Sequence, residues 1–281
     1  MQEVDISSLK NGVRGEIIAL LREQSAALRA ERSRKIQEKI YPFLLGLLTP
    51  VFYGLVAVSK GNADALRSKA HIPSRKLHII HNPIVRPEMD QLSLIPLQHP
   101  WFQPGQPPVI LAAGRLVAQK DYPTLLRSFS LVRQHRSAHL VILGEGTQRE
   151  AILRLAEELG LSSDLDLIGF DLNPFRFMAR CAVFVLSSAW EGFGNVLGEA
   201  LACGAQIVSA DCPSGPAEIL ENGKHGRLVP VGDSIAFARA IEDALDHPLP
   251  LEGLKERAKA FTSEKAVRAY LKVLGLTSND H

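Results

Sequence analysis

From residue 108 onward, uninterrupted apolar runs of strand length alternate with stretches of helical periodicity. The apolar runs lie near residues 108–113, 139–143, 165–168, 182–186, 205–209 and 227–229. The helical stretches lie near residues 122–135, 147–159, 173–180, 195–203, 215–221 and 233–246. Continuous apolar strands that alternate with helices are typical of a parallel sheet covered on both faces. The pattern predicts an α/β fold built on a doubly wound parallel sheet.

Two acids, Glu191 and Glu199, are separated by seven residues that include three glycines. An apolar strand precedes this segment and a helical pattern follows it. A glycine-rich turn that opens a helix presents unpaired N–H groups and the positive end of the helix dipole, which suits a diphosphate. The carboxylates can accept hydrogen bonds from sugar and ribose hydroxyls. Acids are common at helix starts in general, so the pair alone is a weak signal.

Arg115 and Lys120 lie in the turn that joins the first of these strands to its helix. The turn begins at Gly114, and Asp121 followed by Pro123 is a favourable helix start. Arg offers a planar fork to phosphate oxygens and Lys a mobile point charge, so the two side chains suit phosphate binding. The alternative interpretation, two solvated surface cations, stays open at this point.

A third turn, Gly144-Glu145-Gly146, differs from two known nucleotide motifs. The dinucleotide fingerprint needs a further glycine three residues on, where Arg149 stands instead. The chain also contains no Gly-Lys-Ser or Gly-Lys-Thr phosphate loop. Hydride transfer on a nicotinamide and P-loop phosphoryl transfer therefore both lose support.

The candidate residues share one property, which is that each follows the end of a predicted strand. They are Arg115, Lys120, Gly144, Glu191 and Glu199. In open parallel sheets, ligands bind in the crevice outside the carboxyl ends of the strands. We therefore expect these side chains to converge on one crevice.

Several further motifs occur in a set order along the chain. They are Gly114-Arg115-Leu116 with Lys120 five residues after the arginine, the segment Glu191–Glu199, Ala202-Cys203-Gly204, and Ser214-Gly215-Pro216-Ala217-Glu218-Ile219-Leu220. In this order they resemble glycosyltransferase family 4, the retaining sugar-nucleotide transferases of the GT-B fold. The resemblance is strong from about residue 105 to residue 246.

The resemblance implies a role for each matching position. Arg115 and Lys120 would hold the donor diphosphate, Glu191 would bond the donor sugar, and these three would be the catalytic residues. Glu199 would accept from the ribose, and Phe170 would lie beside the base. The full set of donor-binding positions that it implies is Gly114, Gly144, Gly169, Phe170, Gly192, Phe193, Gly194, Asn195, Val196 and Glu199.

The implied activity is transfer of a sugar from a nucleotide-sugar donor, with UDP as the nucleotide, to a glycan or lipid-linked glycan acceptor. The expected mechanism is front-face substitution with retention, in the biosynthesis of surface polysaccharide or lipopolysaccharide. Cations and the helix dipole, rather than a metal, would stabilise the leaving group, so neither a metal nor another cofactor is expected. The expected location is the cytoplasm, at the inner face of the cell membrane where the acceptor is lipid-linked.

GT-B enzymes have two Rossmann-like domains, and 281 residues provide room for one complete domain of this kind. The predicted fold is therefore the C-terminal half of a GT-B fold, a Rossmann-like doubly wound sheet, with a partial second Rossmann-like domain. The implied parts are a partial acceptor-side domain at 1–83, a linker at 84–107, a donor-binding domain at 108–250, and C-terminal helices at 251–281 that cross back to the first domain. A strand is expected at Ile17–Leu21.

The front of the acceptor-side domain has no counterpart in the sequence, which leaves other interpretations open. One is a truncated, non-catalytic remnant that binds sugar nucleotides. Another is a membrane-attached accessory protein, because residues 40–58 are uncharged, apolar and long enough to span a bilayer. Prolines 42 and 50 interrupt that stretch, and proline is costly inside a helix. The basic residues before it favour peripheral contact with anionic headgroups.

The overall charge and the cysteines limit the remaining classes of function. A net charge of +2 predicts no large nucleic-acid surface. The three cysteines, at 181, 203 and 212, show no metal-ligand spacing and fit a reducing compartment. The start at Met1–Asp5 is acidic and gives no clear indication of a signal peptide.

Overall fold

The computed structural model describes residues 46 and 49 and residues 54–276. The predicted strand at Ile17–Leu21, and most of the apolar stretch at 40–58, lie outside the described residues. Val56–Asp64 form one compact unit together with the described residues from Leu77 onward, and Ala65–Lys76 belong to another. In that second unit Lys76 Nζ donates to the Thr49 carbonyl at 2.7 Å.

Two short strands, β1 (Leu55–Ala57) and β2 (Leu77–Ile79), pair in a two-stranded sheet. Helix α1 (Lys60–Lys69) follows β1. Helix α2 (Met89–Leu94) follows β2 and lies within the predicted linker. Short 3-10 helices lie at Ser74–Lys76, Pro100–Phe102, Ala118–Lys120 and Lys259–Phe261.

The unit that continues from Leu77 contains a six-stranded sheet. Its strands are β3 (Val109–Ala113), β4 (His139–Leu143), β5 (Leu165–Gly169), β6 (Val183–Leu186), β7 (Gln206–Ala210) and β8 (Arg227–Val229). The strand order is β5-β4-β3-β6-β7-β8, and every pairing is parallel. The predicted α/β fold with a Rossmann-like parallel sheet is confirmed.

Helices follow the strands of this sheet, as the periodicity predicts. They are α3 (Tyr122–His135), α4 (Arg149–Glu158), α5 (Phe175–Met178), α6 (Asn195–Ala202), α7 (Pro216–Ile219), α8 (Ser234–Asp246), α9 (Leu251–Ala258) and α10 (Ser263–Val273). Asp121 caps α3 as predicted, because its Oδ1 accepts from Thr124 N at 3.3 Å. The predicted return of the last helices to residues 1–83 stays a prediction.

Alternation along the strands divides the core into two layers, one on each face of the sheet. In β3, Ile110 and Ala112 pack in the layer that contains Phe129 and Phe237. Their neighbour Leu111 packs in the opposite layer. Successive strand residues point to opposite faces, and both faces are covered here, so the central strands β3 and β6 are apolar throughout.

The chain leaves β3 toward β4 and β5, and then returns to build β6, β7 and β8 on the other side. The strand order therefore reverses between β3 and β6. A crevice opens at such a switch point, outside the carboxyl ends of the strands. In the β3–β4 pair Ala113 is level with Leu143, so the turns that follow these two strands start side by side.

No helix within the described part of the chain combines the length and apolar character needed to cross a bilayer.

Candidate functional site

Backbone hydrogen bonds hold the first three strand-end turns together. Gly114 N donates to the Leu143 carbonyl at 2.9 Å, and Gly144 N donates to the Gly169 carbonyl at 2.7 Å. A Cβ on Gly144 would lie 2.0 Å from the Gly114 oxygen, and the residue has a φ of +145°. Only glycine fits this position, because a side chain would clash with backbone that cannot move aside.

Lys120 and Glu191 meet in the crevice, with Lys120 Nζ 2.6 Å from Glu191 Oε1. The same carboxylate oxygen accepts from the Ser188 hydroxyl at 2.7 Å. The preceding residue, Ser187, donates its hydroxyl to the Lys120 carbonyl at 2.7 Å. Two adjacent serines at the end of β6 therefore support the two members of one ion pair.

These turns surround a cavity of about 790 Å³, within the range of small-molecule sites. Twelve of the thirteen predicted site residues line it, and they are Gly114, Arg115, Lys120, Gly144, Phe170, Glu191, Gly192, Phe193, Gly194, Asn195, Val196 and Glu199. The thirteenth, Gly169, ends β5 immediately before Phe170 and is not part of the lining. The structure thus brings the predicted residues together.

The glycine-rich segment between Glu191 and α6 is held from outside the six-stranded sheet. The Ser59 hydroxyl donates to the Gly192 carbonyl at 3.2 Å. Asn82 Nδ2 donates to Asn195 Oδ1 at 2.8 Å. Because the first N–H groups of α6 have no acceptor within the helix, this segment offers donors and the positive dipole end to the cavity.

Burial perturbs the pKa of Glu199, which lines the cavity, and that of Tyr122, which contacts the lining residue Gly114. It raises the pKa of the Glu199 carboxyl, and nearby Arg86 acts in the opposite direction. Burial and the charge of Glu191 raise the pKa of the Tyr122 phenol, whose hydroxyl donates to the Gly114 carbonyl at 3.0 Å. Tyr122 is therefore a neutral hydrogen-bond donor that supports the first turn.

Arg115 and Phe170 contribute exposed side chains to the cavity wall. The Arg115 guanidinium makes no ion pair within the described residues, so its charge faces solvent and the cavity. Phe170 is 75% exposed. An exposed cation can bind a phosphate, and an exposed aromatic ring can pack against a planar base.

Other lining residues were not predicted as part of the site. They are Val58, Asn82, Ala113, Gln119, Leu143, Glu145, Asp171, Pro174 and Met178. Gln119 and Glu145 lie inside turns that the sequence singles out, so their place in the chain could have indicated them. Asn82 and Val58 come from distant parts of the chain and carry no local signal.

Acids elsewhere in the chain have structural partners. Asp164 pairs with Arg133 at 3.0 Å, and Asp166 lies 3.2 Å from His99. Arg149, which stands where the dinucleotide fingerprint has a glycine, donates to the Leu167 carbonyl at 2.9 Å. Among the residues that the structure describes, no cluster of three or more His, Cys, Asp or Glu side chains could hold a metal ion.

The family of glycosyl transferases group 1 matches residues 98–261, which is more than half of the chain. The chain belongs to the glycosyl transferases group 1 family. The match includes every predicted site residue and the whole six-stranded sheet. The predicted glycosyltransferase relationship is thereby confirmed.

Two bacterial glycosyltransferases are similar to this chain. A Campylobacter jejuni N-acetylgalactosamine-N,N'-diacetylbacillosaminyl-diphospho-undecaprenol 4-alpha-N-acetylgalactosaminyltransferase is 34% identical over 83% of this chain and 62% of its own length. The Rhizobium meliloti lipopolysaccharide core biosynthesis glycosyltransferase LpsE is 34% identical over 61% of this chain and 51% of its own length. The chain therefore spans about half to three fifths of the length of these relatives.

Solved structures of glycosyltransferases share the fold. The lipopolysaccharide outer core galactosyltransferase WaaB has a TM-score of 0.64 and 22% identity, over 78% of this chain and 61% of that one. At this identity the likeness concerns the fold alone.

Proposed function

We propose that this chain provides the donor site of a glycosyltransferase that moves a sugar from a UDP-sugar to a glycan or lipid-linked glycan. The observation that carries the proposal is the cavity at the switch point between β3 and β6. There Arg115, Lys120, Glu191 and Glu199 line one space beside the start of α6. Two cations suit a diphosphate, and two acids suit neutral hydroxyls.

Each group has a proposed role. Arg115, Lys120 and the N–H groups at the start of α6 bind the diphosphate and stabilise the charge that develops on it as the sugar leaves. Glu191 accepts from the sugar hydroxyls, and Glu199 accepts from the ribose. Phe170 packs against the base. These groups supply the stabilisation of the leaving group without a metal, and we propose a metal-independent reaction.

The finer assignment, to family 4 with retention at the anomeric carbon, belongs to the same proposal. It is supported by the order of motifs from Gly114 to Leu220, and by the fact that Arg115, Glu191 and Glu199 line one cavity. The donor-binding domain would comprise residues 108–250 and the C-terminal helices residues 251–281. Retention predicts that the new bond has the anomeric configuration of the donor.

For the acceptor, we propose a lipid-linked or surface glycan. The name of the Campylobacter relative describes a transferase acting on a diphospho-undecaprenol-linked sugar, and that of the Rhizobium relative refers to lipopolysaccharide core biosynthesis. A lipid-linked acceptor would place the reaction at the inner face of the cell membrane, where the protein would make peripheral contact.

The proposal is tested by incubating the full chain with radiolabelled UDP-hexoses and undecaprenyl-diphosphate-linked sugars. The expected result is transfer of label to the lipid, with the donor's anomeric configuration retained in the product by NMR. Glu191→Ala should abolish this transfer. Transfer with inversion would contradict the assignment to family 4. Failure of every UDP-hexose to bind or react would contradict the donor assignment.

A further inference from the structure

The ion pair between Lys120 and Glu191 is shielded from water within the cavity. The two side chains keep only 15% and 9% of their surface exposed, and their charged atoms lie 2.6 Å apart. Water screens charges poorly under such conditions, so each partner offsets much of the other's charge. In the free protein, Lys120 already has an anionic ligand, and that ligand is Glu191.

Arg115 differs from Lys120 in this respect. It lines the same cavity, and its guanidinium has no ion-pair partner in the described part of the chain. A diphosphate can therefore contact Arg115 without breaking an existing interaction. To contact Lys120 fully, the diphosphate has to separate this lysine from Glu191.

The surroundings of the pair determine which partner moves. Glu191 Oε1 keeps a second donor, the Ser188 hydroxyl at 2.7 Å, when the lysine leaves. The Lys120 backbone is fixed through Ser187, but its ammonium group lies at the end of a flexible four-carbon stem. We therefore expect separation of the pair to move the lysine ammonium and to leave the carboxylate in place.

We propose that Glu191 competes with the nucleotide diphosphate for Lys120 and thereby weakens the binding of the bare nucleotide. This inference rests on the proposed function. A bare nucleotide takes the lysine and leaves the buried carboxylate with fewer partners. A sugar nucleotide also takes the lysine, but its sugar hydroxyls can donate to the same carboxylate. Glu191 is therefore a specificity-determining residue that favours the donor over the product nucleotide and promotes product release.

The test is a calorimetric titration of UDP into the full chain and into Glu191→Gln, which removes the charge at nearly constant size. We expect UDP to bind Glu191→Gln more tightly by at least about threefold, because Lys120 is no longer paired. If Glu191→Gln fails to fold, Glu191→Asp, whose shorter side chain lengthens the pair, serves in its place with the same expected direction. Unchanged or weaker UDP binding would overturn the inference.

Two controls separate the pair from the general charge of the cavity. Glu145 also lines the cavity, but it is exposed and lies 3.5 Å from Arg149 rather than beside Lys120. Glu145→Gln should change UDP affinity by less than about twofold. In a Lys120→Gln background, Glu191→Gln should no longer tighten binding. An equal gain in Glu145→Gln, or a full gain without Lys120, would overturn the inference.

Titration of UDP into the unmodified chain distinguishes failure of the proposed function from failure of the inference. If the unmodified chain does not bind UDP at all, the proposed function fails and the inference fails with it. If it binds UDP and Glu191→Gln shows no gain in affinity, the inference alone fails and the proposed function stands.

Discussion

The imidazole ring of His81 stacks on the phenyl ring of Phe193, with ring centroids 5.1 Å apart and an angle of 11° between the planes. His81 Nε2 also lies 2.6 Å from Glu218 Oε1. The second oxygen of Glu218 accepts from Lys60 N at 2.7 Å. Segments far apart in sequence thus fix the buried phenylalanine of the turn that follows Glu191.

The His81 contacts predict a loss of stability when this ring is removed. His81→Ala should lower the free energy of unfolding by about 1–3 kcal/mol, because the stack and the hydrogen bond to Glu218 are both lost. Urea denaturation measures the effect. His135→Ala is the control, since His135 is exposed and only its ion pair with Glu242 at 3.4 Å is removed. Its effect should stay within about 0.5 kcal/mol. Equal losses in both variants would contradict the structural role of His81.

Gly144 should tolerate no side chain. Gly144→Ala places a methyl group 2.0 Å from the Gly114 oxygen and should destabilise the protein by about 2–4 kcal/mol. Gly105 also has a positive φ, +83°, but nothing lies within 4 Å of the methyl group that Gly105→Ala adds. It should cost only about 1 kcal/mol. Thermal or urea unfolding of both variants measures the difference. Equal stability of the two variants would contradict the close contact between the turns at Gly114 and Gly144.

Phe170 should affect nucleotide binding without affecting stability. It is 75% exposed and lines the cavity, whereas Leu172 is 90% exposed and does not. Phe170→Ala should weaken UDP binding by about threefold to tenfold through loss of base packing, with no change in melting temperature. Leu172→Ala is the matched control and should leave both quantities unchanged. A weaker affinity in Leu172→Ala alone would place the base elsewhere.

Glu199 should lower the stability of the free protein at neutral pH. Because burial raises its pKa in the folded protein above the ordinary value of 4.5, the folded protein holds this proton more tightly than the unfolded chain. The contribution of this group to stability therefore falls as pH rises from the ordinary pKa through the raised one. Glu199→Gln should melt about 1–3 °C higher at pH 7.5 and bind UDP more weakly.

The pH profile of Glu199→Gln provides the check on this explanation. Below about pH 4 the carboxyl is largely protonated in both folded and unfolded protein, so the difference in melting temperature from the unmodified chain should shrink toward zero. Differential scanning fluorimetry across the pH range measures it. A difference that stays constant with pH, or that reverses sign, would show that burial of the charge is not its cause.

The sequence predicted the sheet well because its strands are buried on both faces. The apolar run predicted at 108–113 forms β3 at Val109–Ala113, and the run at 182–186 forms β6 at Val183–Leu186. Five candidate residues were equally accessible to sequence reasoning, because each follows the end of a predicted strand and a parallel sheet brings strand ends together at one edge. They are Arg115, Lys120, Gly144, Glu191 and Glu199. The other site residues were implied by the family resemblance.

The contacts that hold the site residues in position could not be predicted from the sequence pattern. The bond from Ser188 to Glu191 depends on the conformation of a turn, and the contact between His81 and Glu218 joins residues 137 apart in sequence. Neither contact leaves a periodic pattern in the chain. The pairing of Lys120 with Glu191 was also missed, because the sequence indicated a ligand for each residue but not their contact with one another.

The central claim is that the cavity at the switch point binds a nucleotide diphosphate through its cations, and calorimetry with UDP tests it most directly. The unmodified chain should bind UDP, and Arg115→Ala should lose at least about tenfold in affinity. Arg154→Ala, which removes an exposed cation of α4 that does not line the cavity, should stay within about twofold. No binding by the unmodified chain, or equal affinity in Arg115→Ala and Arg154→Ala, would contradict the claim.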